Sequence, residues 1–79
     1  MTKKKAQFRH AQRRAKQRYG LNLTASTYNA IKNRIVTNRS VPVKRKSSRI
    51  TIHLVDYGDS TYKVVYDSLR HSIVTFLRQ

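Results

Sequence analysis

The sequence predicts an α+β domain in which two N-terminal helices pack on a three- to four-stranded antiparallel β-meander. In the first half of the chain, apolar residues recur every three or four positions, as they do on one face of a helix. In the second half they alternate with polar residues, as they do on a strand, and turn-forming residues separate the alternating segments. A length of 79 residues fits one domain, residues 1–79, with a single thin core.

The first helix is predicted over residues 3–19, which are rich in the helix formers Gln, Lys, Arg and Ala. Its narrow apolar stripe consists of Phe8, Ala11, Ala15 and Tyr19. Gly20 stands where a helix C-cap is expected. The basic segment before the stripe, about residues 1–5, is expected to be flexible.

The second helix is predicted over about residues 25–36, with Thr24 as its N-cap. Its apolar stripe consists of Tyr28, Ile31 and Ile35. Asn38 and the two residues after it end the helix. Only a few residues separate the two helices, so we expect them to be antiparallel neighbours.

Strands are predicted over residues 49–55, 61–66 and 73–77, with turns at 57–60 and 68–71. Val41-Pro42-Val43 is predicted as a short edge strand, because proline is tolerated only at sheet edges.

The face that each strand residue occupies depends on the register of the pairing. We expect Val55 to lie opposite Thr61. With that register, the helices would cover the apolar side chains of Ile50, Ile52, Leu54, Tyr62, Val64 and Tyr66. The open face would then carry Arg49, Thr51, His53 and Lys63, with Val65 among them.

The charge of the chain is large and segregated. There are 18 Lys and Arg against three acids, a net charge of +15. Residues 1–49 hold 15 of these cations and no acid, whereas residues 50–79 hold three cations and three acids, so 3 − 3 leaves that part neutral. Such a field attracts polyanions. RNA is therefore the expected partner and DNA the alternative, and an acidic protein partner or inhibitor also fits the charge.

Several classes of protein are disfavoured. Without cysteine there is neither a disulfide framework nor a cysteine zinc site, and the three histidines have no metal-ligand spacing. No apolar run approaches the roughly 20 residues of a membrane span, and the start of the chain lacks the apolar stretch of a signal peptide. We therefore expect a cytoplasmic protein that needs no cofactor and does not insert into membranes.

One row of side chains in the first helix suggests a binding site. His10, Arg14 and Arg18 recur every fourth residue, so they line one side of the helix beside the apolar stripe. Like charges at this spacing repel one another and destabilise the helix slightly. This cost is reasonable if the row faces a phosphate group. Because residues four apart drift around the helix axis, the row approaches the core toward its C-terminal end. Arg18 is therefore predicted to be half-covered by the core and His10 to be more exposed.

Together with the strands, this segment carries a resemblance to a known family. The sequence His10-Ala11-Gln12-Arg13-Arg14-Ala15-Lys16-Gln17-Arg18-Tyr19-Gly20, a second helix, and strands ending in Val64-Val65-Tyr66-Asp67 and Ile73-Val74-Thr75-Phe76-Leu77 resemble small phage and bacterial proteins. Those proteins are grouped with the Barnase–EndoU–colicin–RelE superfamily of metal-independent ribonucleases, some of them toxins. The resemblance spans roughly residues 8–77. It implies helices on one face of a small antiparallel sheet and RNA cleavage on the other, open face.

The resemblance also implies site residues. The positions that match are His10, Arg14, Arg18 and Thr75, and more loosely Arg49. Metal-free RNA cleavage needs a base for the 2′-OH proton, cations for the phosphorane and an acid for the 5′-oxygen. His10 and His53 are the candidate acid and base, and Thr75 is a third catalytic candidate. Thr75 is also a good β-former, and His53 has the alternative of bonding only to a neighbouring residue.

The predicted nucleic-acid-binding residues are Arg14, Arg18, Arg49, Lys44, Arg45, Lys46 and Lys63. Two functions follow from them. One is a metal-independent endoribonuclease that cleaves RNA by attack of the 2′-OH. The other is a non-catalytic phage or bacterial regulator that uses the basic half to bind RNA, DNA or a nucleoprotein machine such as the ribosome or polymerase.

Overall fold

The computed structural model of the chain describes residues 3–78, and the side chains of residues 6–78. The elements are α1 (Lys3–Tyr19), α2 (Ala25–Val36), β1 (Val41–Arg45), β2 (Ile50–Tyr57), β3 (Ser60–Asp67) and β4 (Ser72–Leu77). The four strands form one sheet in the order β1-β2-β3-β4, each antiparallel to the next. The predicted α+β class with two helices before a β-meander is confirmed. Of the segment expected to be flexible, residues 1 and 2 lie outside the described residues.

Both helices end where the sequence predicts. Gly20 adopts φ 65°, a left-handed conformation that suits glycine, and its N–H donates to the carbonyl of Lys16 at 2.9 Å. At the end of α2, Asn38 takes the left-handed conformation (φ 60°), and the N–H of Arg39 donates to the carbonyl of Arg34 at 2.7 Å. These bonds satisfy carbonyl groups that would otherwise lack partners at the helix ends.

The core lies between the two helices and one face of the sheet. Its buried members are Ala11, Ala15, Leu23, Tyr28, Ile31, Ile35, Val55, Tyr62, Val64, Tyr66, Ile73 and Phe76. Two tyrosine hydroxyls join the helices to the sheet backbone. The Tyr28 hydroxyl accepts from the N–H of Ile73 at 3.0 Å, and the Tyr19 hydroxyl accepts from the N–H of Lys63 at 3.1 Å. Both predicted helical stripes are therefore the faces that pack on the sheet.

The predicted strand register is wrong by one residue. Val55 lies opposite Tyr62, not Thr61, because the hairpin closes with Tyr57 opposite Ser60 and only two residues between them. Gly58, the first of the two, takes φ 61°, as two-residue hairpin loops require. The slip exchanges the faces of the whole of β2.

The face without helices consequently carries aliphatic side chains. Ile52 and Val65 lie opposite each other there and are 4% and 7% exposed, because both belong to central strands flanked on each side. Leu54 and Leu77 share this face and are half-buried. Burial of Ile52 is thus confirmed, although on the side of the sheet opposite to the predicted one.

Candidate nucleic-acid interface

The helices leave one corner of the sheet uncovered. The α2 helix runs from β4, where Tyr28 bonds to Ile73, toward the end of β2, where the Arg34 guanidinium lies 6.0 Å from the centre of the Tyr57 ring. The corner where β1 ends and β2 begins is occupied by a cleft of about 430 Å³. The residues that line this cleft, called the corner cleft below, are Pro42, Val43, Lys44, Arg45, Ser48, Thr51 and Ser68.

The lining of the corner cleft has the chemistry of an anion site. It offers two cations, Lys44 and Arg45, with three hydroxyl groups and no acid. The Arg45 side chain is fixed by hydrogen bonds to the carbonyls of Ser47 and Ser48, each at 3.2 Å. Lys46 follows directly and is exposed. Cations and hydroxyl donors on one concave surface are what a phosphate group requires.

The loop beside the cleft is held in place by hydrogen bonds. The Ser47 hydroxyl accepts from the N–H of Ile50 at 3.1 Å. The carbonyl of Arg49 accepts from the N–H of Ser68 at 2.8 Å and from its hydroxyl at 3.1 Å. The β1–β2 loop is therefore joined to the β3–β4 turn, and the two walls of the cleft form one unit.

Arg49 lies at this junction with its side chain 48% exposed. Its Nε is 3.8 Å from a carboxylate oxygen of Asp67, which is buried. The other oxygen of Asp67 accepts from the N–H groups of Leu69 and Arg70 at 3.0 and 3.1 Å. Asp67 thus organises the β3–β4 turn and holds Arg49 beside the corner cleft, where its exposed part remains open to a ligand.

His53 lies next to the corner cleft, on the helix side of the sheet. The prediction that it occupies the open face is wrong, because the register places it opposite Val64 of the core. On the neighbouring strand β1, its partner is Pro42, which lines the corner cleft. Its Nδ1 is 2.9 Å from the Ser40 hydroxyl, and its ring meets Tyr66 edge-on. Burial lowers the pKa of His53 from its usual value, so the ring is neutral at neutral pH.

This burial predicts a pH dependence of folding. Because the pKa of His53 is lower when folded, the unfolded chain binds more protons in weakly acidic solution. The stability from this group is complete above the unfolded pKa of about 6.5 and is lost as the pH falls toward the folded value. Urea titrations should show a smaller loss of stability between neutral and weakly acidic pH for His53→Gln than for the wild type. Equal losses would contradict the prediction.

The structure does not bring the α1 residues to the corner cleft. The helix packs along β4, at the opposite edge of the sheet, where Gln7 accepts a hydrogen bond from Ser72. His10 is exposed and Arg18 is half-buried, as the winding of the row predicts. The Nε of Arg18 is buried without a hydrogen-bond partner among the described residues. His10, Arg14 and Arg18 thus form a separate row.

Thr75 and Lys63 are also separate from the cleft. Thr75 lies opposite Val65, and Lys63 lies opposite Leu54 and Leu77, all on the face without helices. Of the residues predicted for the site, the structure therefore groups Lys44, Arg45, Lys46, Arg49 and His53 at one corner. The others are distributed over α1 and the aliphatic face.

Sequence reasoning missed two sets of residues. The hydroxyls of Ser48, Thr51 and Ser68 meet at the cleft only because the two loops are bonded together. The exposed cations Arg9, Arg13 and Lys16 form a second row on α1, on the side away from the core. Their spacing of four and three residues is a signal in the sequence that could have been used.

Compared with known proteins, the chain matches no protein-family model, no curated protein and no solved structure. The resemblance to the ribonuclease superfamily thus rests on the sequence motifs. None of the helices between residues 3 and 78 has the length and apolar character that a membrane crossing needs. Within the same residues, no group of three or more His, Asp or Glu is placed to hold a metal ion.

Proposed function

We propose that this protein binds nucleic acid and that the corner cleft holds phosphate groups of the backbone. The observation that supports it best is the lining of the cleft, in which Lys44 and Arg45 stand among three hydroxyls without any acid. Lys46 and Arg49 extend the same charge at its rim. A phosphate here would exchange its hydration for charged and hydroxyl donors and release counterions to solution.

The whole-chain charge supports the same proposal. A net charge of +15 on 79 residues draws any polyanion to the surface, but it does not orient that polyanion. A fixed cleft does orient it, because Arg45 is held by two backbone carbonyls and the loop beside it is bonded to the β3–β4 turn. The proposal thus combines long-range attraction with a local site, as expected for a cytoplasmic protein that acts on RNA or DNA.

Charge reversal in the cleft tests this proposal. The double variant Lys44→Glu/Arg45→Glu should weaken binding to a labelled oligonucleotide strongly. The slope of log K against log salt should fall by about 0.7–0.9 for each phosphate group that the variant no longer neutralises. Filter binding over a range of salt concentrations measures both quantities.

A matched control separates the cleft from net charge. Arg39 and Arg78 are exposed and do not line the cleft, so Arg39→Glu/Arg78→Glu makes the same charge change elsewhere. We expect the control to keep the wild-type salt slope. An equal weakening of binding in both double variants would mean that net charge alone determines binding, and the cleft would have no special role.

Metal-independent RNA cleavage is the second candidate function. The observation that favours it is a neutral histidine beside the cleft, since the lowered pKa of His53 leaves its ring able to accept a proton. In this reaction the 2′-oxygen attacks phosphorus, His53 takes the 2′-OH proton, and the 5′-oxygen leaves with a proton from water. Lys44 and Arg45 would stabilise the charge on the phosphorane. His10 and Thr75, which the resemblance implies, lie on other surfaces.

A further inference from the structure

All the aromatic rings of the protein are used by its core. Seven aromatic residues are present, five Tyr and two Phe. Tyr28, Tyr62, Tyr66 and Phe76 are buried in the core, and Phe8, Tyr19 and Tyr57 pack against it. Proteins that hold single strands stack the unpaired bases on free aromatic rings, each base contributing about 1–3 kcal/mol. None of the seven rings is fully exposed here: the most open ones, Phe8, Tyr19 and Tyr57, are half-buried against the core.

The outer surface of the two helices carries exposed cations and amide groups instead of free aromatic rings. On α1, the exposed cations Arg9, Arg13 and Lys16 lie within eight residues, and the helix rises about 10 Å from the first to the last. On α2, a shallow hollow of about 250 Å³ is lined by Asn29, Lys32, Asn33 and Val36. The side-chain amides of Asn29 and Asn33 are exposed and make no hydrogen bond to any described residue. The first acid of the chain is Asp56, so neither helix carries a negative side chain.

We propose that the outer face of the two helices binds double-stranded DNA, with the Asn29–Val36 flank of α2 in the major groove and the α1 cations on the phosphates. The inference rests on the proposed function, which it extends to the form of the nucleic acid. Asparagine pairs with the adenine edge through two hydrogen bonds, lysine donates to guanine, and an exposed valine contacts a thymine methyl group. Val36 is 55% exposed at the end of this flank.

The dimensions of α2 agree with its place in the major groove. From residue 29 to residue 36 the helix rises about 10 Å, the length of about three base-pair steps of 3.4 Å. The B-form major groove, about 12 Å wide, admits one helix, whereas the major groove of an RNA duplex is too narrow for side chains to read. Duplex DNA is therefore the form that fits an exposed helix flank on a surface where no aromatic ring is fully exposed.

The test compares one sequence as duplex DNA, single-stranded DNA and duplex RNA in competition with a labelled DNA duplex. We expect wild-type protein to bind duplex DNA more tightly than either competitor near physiological salt. Tighter or equal binding of the single strand or of the RNA duplex would overturn the inference. Absence of salt-dependent binding to all three would instead overturn the proposed function.

Selection from a pool of random DNA duplexes tests the α2 flank. We expect wild-type protein to select a preferred DNA sequence. In the double variant Asn29→Ala/Asn33→Ala, the ratio of affinities for preferred and random duplexes should fall by about 5- to 150-fold for each lost asparagine–base contact of two hydrogen bonds. The control Asn22→Ala removes an exposed amide from the loop between the helices and should keep the preference. Circular dichroism confirms that each variant is folded. Unchanged discrimination in the folded double variant would show that α2 does not read bases.

Discussion

Phe76→Ala should lower the free energy of unfolding by about 3–5 kcal/mol. The ring is fully buried, and its centre lies 6.0 Å from the Tyr62 ring and 6.2 Å from the Tyr19 ring. It therefore contacts both the sheet and α1. A domain of 79 residues has a total stability of roughly 4–12 kcal/mol, so this one change removes a large share of it.

Urea denaturation followed by circular dichroism measures this effect. Leu69→Ala is the matched control, because Leu69 is 68% exposed in the β3–β4 turn and should change stability by less than about 0.5 kcal/mol. A stability of Phe76→Ala within experimental error of the wild type would contradict the position of β4 under α1.

The second large effect is expected in RNA cleavage. If the protein cleaves RNA, the second candidate function, His53→Ala should lower the single-turnover rate by about 10²–10⁴-fold, because the proposed mechanism assigns the 2′-OH proton to this imidazole. RNA affinity should change little, since a neutral ring adds no charge to the proposed phosphate site. His71→Asn is the control: His71 is exposed in a turn with φ 51°, a conformation that asparagine tolerates.

The reaction is measured with a labelled RNA in EDTA, where 2′,3′-cyclic phosphate ends identify attack by the 2′-OH. His10→Ala tests the two-histidine mechanism that the sequence suggests, and a reduced rate confined to the His53 variant would leave His10 out of the chemistry. Wild-type protein that binds RNA but leaves it intact, in EDTA and in magnesium, would exclude cleavage and leave binding as the function.

The helices could be predicted from the sequence because their apolar stripes have a clear period and their ends carry specific residues. Thr24 accepts a hydrogen bond from the N–H of Thr27, and Gly20 adopts a positive φ, both as local sequence rules require. The strand register was not predicted, although the signal was present. Placing Val55 opposite Thr61, with the strands ending there, leaves the five residues 56–60 in the hairpin loop. The Gly58-Asp59 pair instead favours the two-residue loop that the structure has.

The candidate site could be predicted only in part. The basic run Lys44-Arg45-Lys46 could be selected from the sequence as a candidate binding segment, because clustered cations are visible without knowledge of the fold. The cleft itself depends on the contact between Ser68 and Arg49, which are 19 residues apart. The face of His53 depends on the register, so one wrong loop length places this residue on the opposite side of the sheet.

The first strand has a consequence for how copies of this protein behave toward one another. As one of the two edges of the sheet, β1 could serve as a template for another chain, and the aliphatic face beside it would favour fibril growth. Pro42 lacks an N–H, the pairing is interrupted by a bulge between Pro42 and Lys44, and two cations follow at the end of the strand. These features oppose edge-to-edge pairing at β1 by geometry as well as by charge, so we expect this edge to resist pairing with another chain even in salt concentrations that screen its charges.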